Sequence, residues 1–246
     1  MEIVMKKIVS FAARAVFATM LLAASGMAAA EVTADEALQR LKEGNAAFAS
    51  GFIKGNNGDA APHDFPHLRA NSTPQARAVV AGGQHPYAIV LDCADSRVSP
   101  EIAFDKGLGE LFVVRVAGNV VAPHELGSIE YAVEHLGTPL IVVLGHTKCG
   151  AVSATVGSLG TGCIVQHVEG NIGSLVESIA PAVEKACAHP DPTKTLLNQS
   201  IDENVHTVEH NILHNSSIIE HAVNLGHVKI VKGVYDLDTG LVKWME

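Results

Sequence analysis

Four short, mostly apolar runs punctuate the chain, at residues 87–91, 111–116, 140–144 and 228–235. They are rich in Val and Ile and have no two-residue alternation, the pattern of strands buried on both faces of a sheet. The stretches between them carry helical spacing instead. In residues 124–136, Leu126, Ile129, Ala132 and Val133 recur on one face, and Gly137 follows as a stop signal. Longer helical patterns fill residues 164–188 and 195–225, the second ended by Gly226. A helix is expected over residues 31–50, with Thr33 as N-cap, Glu36 at capping-box spacing, and Leu38, Leu41 and Phe48 on its apolar face. Residues 51–74, with Gly, Asn, Pro and His, predict a long exposed connection. At the far end, residues 236–240 turn the last run into residues 241–244. There is no internal repeat. Strands alternating with helices predict one α/β domain with a central, mainly parallel sheet flanked by helices.

Composition changes this picture in one place. Lys6 and Lys7, a broken apolar run over residues 8–22 and the small residues Ala28, Ala29 and Ala30 predict a signal peptide over residues 1–30. The run is too short to span a membrane well, so no stable anchor is expected after cleavage. Residues 31–246 are then expected to be one mature domain, placed in the periplasm or secreted. Cleavage would remove three of 17 basic and one of 26 acidic residues, moving the net charge from -9 to -11. So acidic a chain lacks the basic stripe of a nucleic-acid binder. Export also sets four cysteines where disulfides form readily. Cys93 and Cys149 have ligand company; Cys163 and Cys187 do not, and the sequence leaves their pairing open.

The chemistry concentrates at two strand ends. Cys93-Ala94-Asp95-Ser96-Arg97 follows the first run, and His146-Thr147-Lys148-Cys149-Gly150 follows the third. In open α/β sheets, sites form beyond the carboxyl ends of strands. Two thiols and one imidazole arriving there form a three-ligand zinc set with the fourth position free, as a catalytic zinc requires. A lone Cys reads as a small buried hydrophobe and a lone His as a core residue, but the three together favour metal. Gly150 would allow close backbone approach. Arg97 would hold Asp95 ionised through paired hydrogen bonds. Two thiolates and a neutral imidazole cancel the charge of Zn²⁺, so water there would be acidified less than by a site with three histidines. A cysteine phosphatase would need a wider spacing than that between Cys93 and Arg97. A Cys/His protease would need an oriented base, and no glycine-rich phosphate loop follows any strand. His206, His210 and His214, four apart on one helix, read as a solvated face, and nothing singles out His124 or His135 as proton shuttles.

These two motifs, at this separation, resemble those of the β-class carbonic anhydrases, and the likeness runs from about Ala34 to Tyr235. The resemblance implies a homodimer or tetramer on a four-stranded parallel core. It implies one Zn²⁺ per subunit, held by Cys93, His146 and Cys149, and reversible hydration of CO2 to bicarbonate through attack by zinc-bound hydroxide. Asp95 and Arg97 are the implied catalytic pair. In the family's open form they pair with each other; in its closed form Asp95 is the fourth zinc ligand. The resemblance further places Gln84, Phe112, Tyr131 and Gly150 about the substrate, with Phe112 and Tyr131 reaching a partner subunit's zinc. Members regulated by bicarbonate carry a tryptophan where this chain has Val90, and its only tryptophan is Trp244, so the open form is expected. A CS2 or COS hydrolase on the same fold, or an exported zinc-binding protein without catalysis, are the alternatives.

Overall fold

The expected alternation of strand and helix is realised in a five-stranded sheet of order β2-β1-β3-β4-β5, with β1 at Ala88–Asp92, β2 at Leu111–Arg115, β3 at Leu140–His146, β4 at Lys229–Tyr235 and β5 at Val242–Met245. The first four run parallel, and β5 turns back antiparallel beside β4. The computed structural model describes residues 32–55 and 65–245. The segment expected to be a signal peptide lies outside them.

The apolar runs fall where their composition puts them. Every residue of β1 and β3 is buried, as uninterrupted Val, Ile and Leu require of strands covered on both faces. β2, at the sheet edge, is only partly covered. The core gathers Ile89, Leu91, Ile141 and Val143 from the sheet with Ile129, Ile179, Val205 and Ile212 from the helices.

The first helix, α1 (Ala34–Gly55), starts as predicted but runs past Ser50. Thr33 Oγ1 accepts from Glu36 N at 3.2 Å, and Thr33 N donates back to Glu36 Oε2 at 2.9 Å, so the capping box forms. The connection expected over residues 51–74 is therefore helical at its start, and again in α2 (Pro66–Ala70); residues 56–64 lie outside those described. Two short helices, α3 (Pro74–Val80) and α4 (Pro100–Ala103), carry Pro in their first turns. α5 (Pro123–Leu136) ends at Gly137 in the left-handed region, φ 65°, as anticipated.

Beyond β3 the helical pattern is cut more often than expected. α6 is Gly150–Gly157, and α7 begins only at Asn171 and ends at Ala188. The stretch read as one helix to residue 225 is two, α8 (Leu196–Asn215) and α9 (Ser217–Asn224). Ser216 divides them. It takes an extended conformation, caps α9 by accepting from Ile219 N at 3.2 Å, and donates to Glu130 at 2.5 Å. α8 packs on α7 and across β3 and β4.

Candidate metal centre

Strand register assembles the site. Asp92 pairs with Leu144 across the parallel β1–β3 ladder, so Cys93, next along the chain, stands beside Gly145 with His146 just beyond. Cys149 reaches the same place as the N-cap of α6. Lys148, at φ 58°, makes the tight turn between the last two. Together Cys93, His146 and Cys149 are buried, with their ligand atoms all within 4.8 Å of one another.

This donor set fits a zinc ion. Tetrahedral bonds of about 2.3 Å to sulfur would hold two thiolates about 3.8 Å apart, close to what the cluster spans. His146 Nδ1–H donates to Thr147 O at 2.9 Å, which leaves the lone pair on Nε2. That Nε2 is fully buried and has no hydrogen-bond partner in the protein. A buried nitrogen acceptor without a donor is costly unless something electrophilic meets it. Soft sulfur and imidazole donors select zinc over magnesium or calcium. The two thiols also divide their protons unequally. The hydrogen bond from Cys149 draws the Cys93 thiol down, with help from His146 and the Gly118 N–H and against the opposing effect of burial; the same bond, with burial, pushes Cys149 up.

Asp95 and Arg97 meet as expected. Arg97 Nε donates to Asp95 Oδ1 at 2.9 Å and Nη2 to Oδ2 at 2.7 Å, a two-pronged pairing, while Arg97 N also donates to Oδ1 at 2.9 Å. These bonds hold the Asp95 carboxyl well below the usual carboxylate range. Asp95 Oδ2 lies 3.9 Å from His146 Nε2, at the rim of the cluster. Arg97 Nη2 reaches on to Lys148 O at 3.3 Å, so the pair bridges both ligand loops.

The remaining expected residues are less tightly gathered. Phe112 and Tyr131 face each other with ring centroids 6.4 Å apart, Tyr131 being 47% exposed. Phe112 is in register with Ile89, four residues before Cys93 and so roughly 13 Å along the strand. Gln84 is exposed in the segment before β1. One chain alone does not bring these three to the cluster. Gly150 opens α6 without the crowding expected of it, since a Cβ there would meet nothing within 4 Å. His206, His210 and His214 form no three-ligand group with any Cys, Asp or Glu among the described residues, and His210 and His214 simply stack at 3.7 Å.

Two residues at the site had no signal in the ligand motifs. Arg115, the charge that closes an otherwise apolar strand, donates to the carbonyls of Cys93 at 2.9 Å, Asp95 at 2.7 Å and Val98 at 2.6 Å, stapling the first ligand loop. Asp92 is wholly buried with neither oxygen hydrogen-bonded in the protein, and burial pushes its carboxyl up to about 7. The last two cysteines join in a disulfide, Cys163–Cys187, with Cα atoms 5.6 Å apart.

Comparison with known proteins agrees with this geometry. A family profile described as carbonic anhydrase matches residues 88–242. "Carbonic anhydrase 2" of Mycobacterium tuberculosis is 39% identical over 204 residues, 83% of this chain and 89% of that one. A carbonic anhydrase of Mycolicibacterium smegmatis is 43% identical over 147 residues, 60% of this chain and 63% of its own. Among solved structures, Coccomyxa beta-carbonic anhydrase in complex with acetazolamide superposes with a TM-score of 0.59 at 32% identity, covering 68% of this chain and 75% of that one. One of two tetrameric beta-carbonic anhydrases from Sordaria macrospora gives 0.60 at 25% identity, over 72% and 89%.

Proposed function

Because this chain belongs to the β-class carbonic anhydrases, we propose that it hydrates CO2 reversibly at the cluster of Cys93, His146 and Cys149, as a processed, exported enzyme. The observation that carries this reading is the buried, unpartnered Nε2 of His146 among two unbridged thiols. Those three side chains would hold one zinc per subunit. When bound, zinc supplies the Lewis acidity that makes water a nucleophile near neutral pH.

The protein residues set the conditions for that chemistry. The Thr147 carbonyl fixes the His146 tautomer, and Arg115 fixes the loop that presents Cys93. Arg97 keeps Asp95 ionised and turned toward the guanidinium, so its oxygens accept hydrogen bonds from the reacting water instead of filling the fourth ligand position. This pairing supports the open form as the resting state. Burial of the cluster on the sheet side leaves the Asp95 edge as the approach for CO2.

β-Carbonic anhydrases are oligomeric, with tetramers among the structural relatives. The partly covered β2 and exposed Tyr131 support a homodimer in which Gln84, Phe112 and Tyr131 line the substrate approach of the partner's site. The Cys163–Cys187 disulfide supports an oxidising compartment, periplasmic or extracellular.

Stopped-flow CO2 hydration by the purified enzyme over about pH 6.5 to 9 tests the reading. The expected result is clear activity near neutral pH that rises with pH and vanishes on zinc removal. Inactivity of zinc-loaded enzyme throughout that range would overturn it. Onset only above about pH 8 would overturn the open form alone. N-terminal sequencing of the exported protein checks for cleavage after Ala30, and light scattering reads the oligomer.

A further inference from the structure

Cys93 Sγ accepts a hydrogen bond from the backbone N–H of Gly118, 3.3 Å away and on a different loop. A donor on a ligating thiolate aims its lone pairs and tunes the charge it offers, so whatever fixes that N–H acts on the metal centre. Within the loop, only the turn bond from Asn119 N to Val116 O, 2.9 Å, is near that N–H. Gly118 and Asn119 form a turn with successive positive φ angles, 74° and 44°. Gly and Asn are the residues that enter this region most readily, so the turn suits its sequence.

A further hold comes from α8. Asn204 Nδ2 donates to Gly118 O at 2.8 Å, across 86 residues of sequence. Asn204 is 1% exposed, and its Oδ1 has no hydrogen-bond partner in the protein, so Gly118 is what the carboxamide engages. The helix can come this close because residue 145, beside His146, is glycine: a Cβ there would lie 2.7 Å from Val205 Cγ2. From the other side, Ile179 of α7 closes on Gly118, 2.6 Å from where a Cβ would stand.

We propose that Asn204 is a positioning residue of the metal centre. It touches no ligand; it holds the carbonyl that follows Gly118 and so, through the backbone angles of Gly118, sets the preceding peptide, whose N–H orients Cys93 Sγ. This rests on Cys93, His146 and Cys149 being the zinc ligands. A buried Asn on a helix is ordinarily a structural hydrogen bond and no more. Gln199, on the same helix and 8% exposed, donates from Nε2 to His189 O at 2.7 Å and provides the control for that plain role.

The experiment measures zinc affinity by chelator competition and, in cobalt-substituted protein, the thiolate-to-cobalt charge-transfer band. Asn204→Ala and the isosteric Asn204→Asp, which replaces the donor with an acceptor facing Gly118 O, are expected to weaken zinc binding roughly 10- to 100-fold and to shift the band. Gln199→Ala is expected to change neither. Folded Asn204 variants with wild-type affinity and band would overturn the proposal, as would an equal effect from Gln199→Ala. Should the Asn204 variants not fold, ¹¹³Cd-substituted, ¹⁵N-labelled wild type decides: scalar coupling between cadmium and the Gly118 amide proton supports the relay, and its absence overturns it. A wild type that binds no zinc would instead overturn the ligand assignment.

Discussion

The four cysteines occupy two regions with opposite chemistry. Cys163 and Cys187 lie near the surface, where the 3-10 turn Thr161–Cys163 meets the end of α7, and they are joined in a disulfide. Cys93 and Cys149 lie at the buried carboxyl edge of the sheet, close enough to touch, and remain thiols. Proximity therefore does not decide oxidation here. Both sulfurs of the inner pair have the His146 imidazole within 4.8 Å, and Cys93 also has the Gly118 N–H. The outer pair has no such company and serves to tie two segments of the chain together. Within one sequence, a cysteine's role follows from what its strand or helix delivers beside it.

The largest expected effect comes from removing an inner sulfur. Cys93→Ser or Cys149→Ala should leave less than about a thousandth of the CO2 hydration activity and no stoichiometric zinc, with the outer disulfide intact. Metal analysis and stopped-flow rates on one preparation check this. Removing the metal should blur the difference between the two pairs. Protein stripped with a chelator and then treated with a mild oxidant should lose its two titratable thiols, while zinc-loaded protein keeps both; thiol counting under denaturing conditions reads the outcome. Arg97→Ala should leave zinc bound but reduce activity roughly 10- to 100-fold, because Asp95 is then free to turn toward the metal. Retained zinc with unchanged rates would show that the pairing is ornamental. Smallest in its effect on the active site, Cys163→Ser should lower stability by about 3 kcal/mol for a loop of this length. Denaturant midpoints should fall while zinc content stays the same. A loss of zinc would mean that the two regions are not independent.

How much of this could be read from the chain alone follows the same division. The strands were legible because burial on both faces leaves no room for polar residues, and the ligands were legible because two motifs sit at strand ends. Arg115 was not, since a terminal charge on an apolar strand looks like an ordinary exit to solvent. Asn204 was hidden for a different reason: its partner is 86 residues away and is a backbone carbonyl, which leaves no trace in residue type. The break at Ser216 escaped because apolar spacing continues through it, while the cause, a hydrogen bond to Glu130, is tertiary. The late start of α7 has a similar origin. The chain reverses before it, with Gly170 at φ 73° and Gly173 so close to Val168 O that a Cβ would lie 2.0 Å from it. The need for Gly150 was read too strongly, from a motif in place of a contact.

One pairing, Asp92 with Leu144, has a consequence for how the molecule reaches its native state. A parallel ladder displaced by a single residue would turn every side chain of one strand to the opposite face. Gly145 would then lose its place beside Cys93, and the ligands their native spacing, while the backbone still looked like a sheet. The ion thus acts as an inspector of alignment, since only chains whose first and third strands have met in the native offset can retain it. Metal uptake followed during refolding would time that event, and a population of folded chains unable to take up metal would be the misaligned ones.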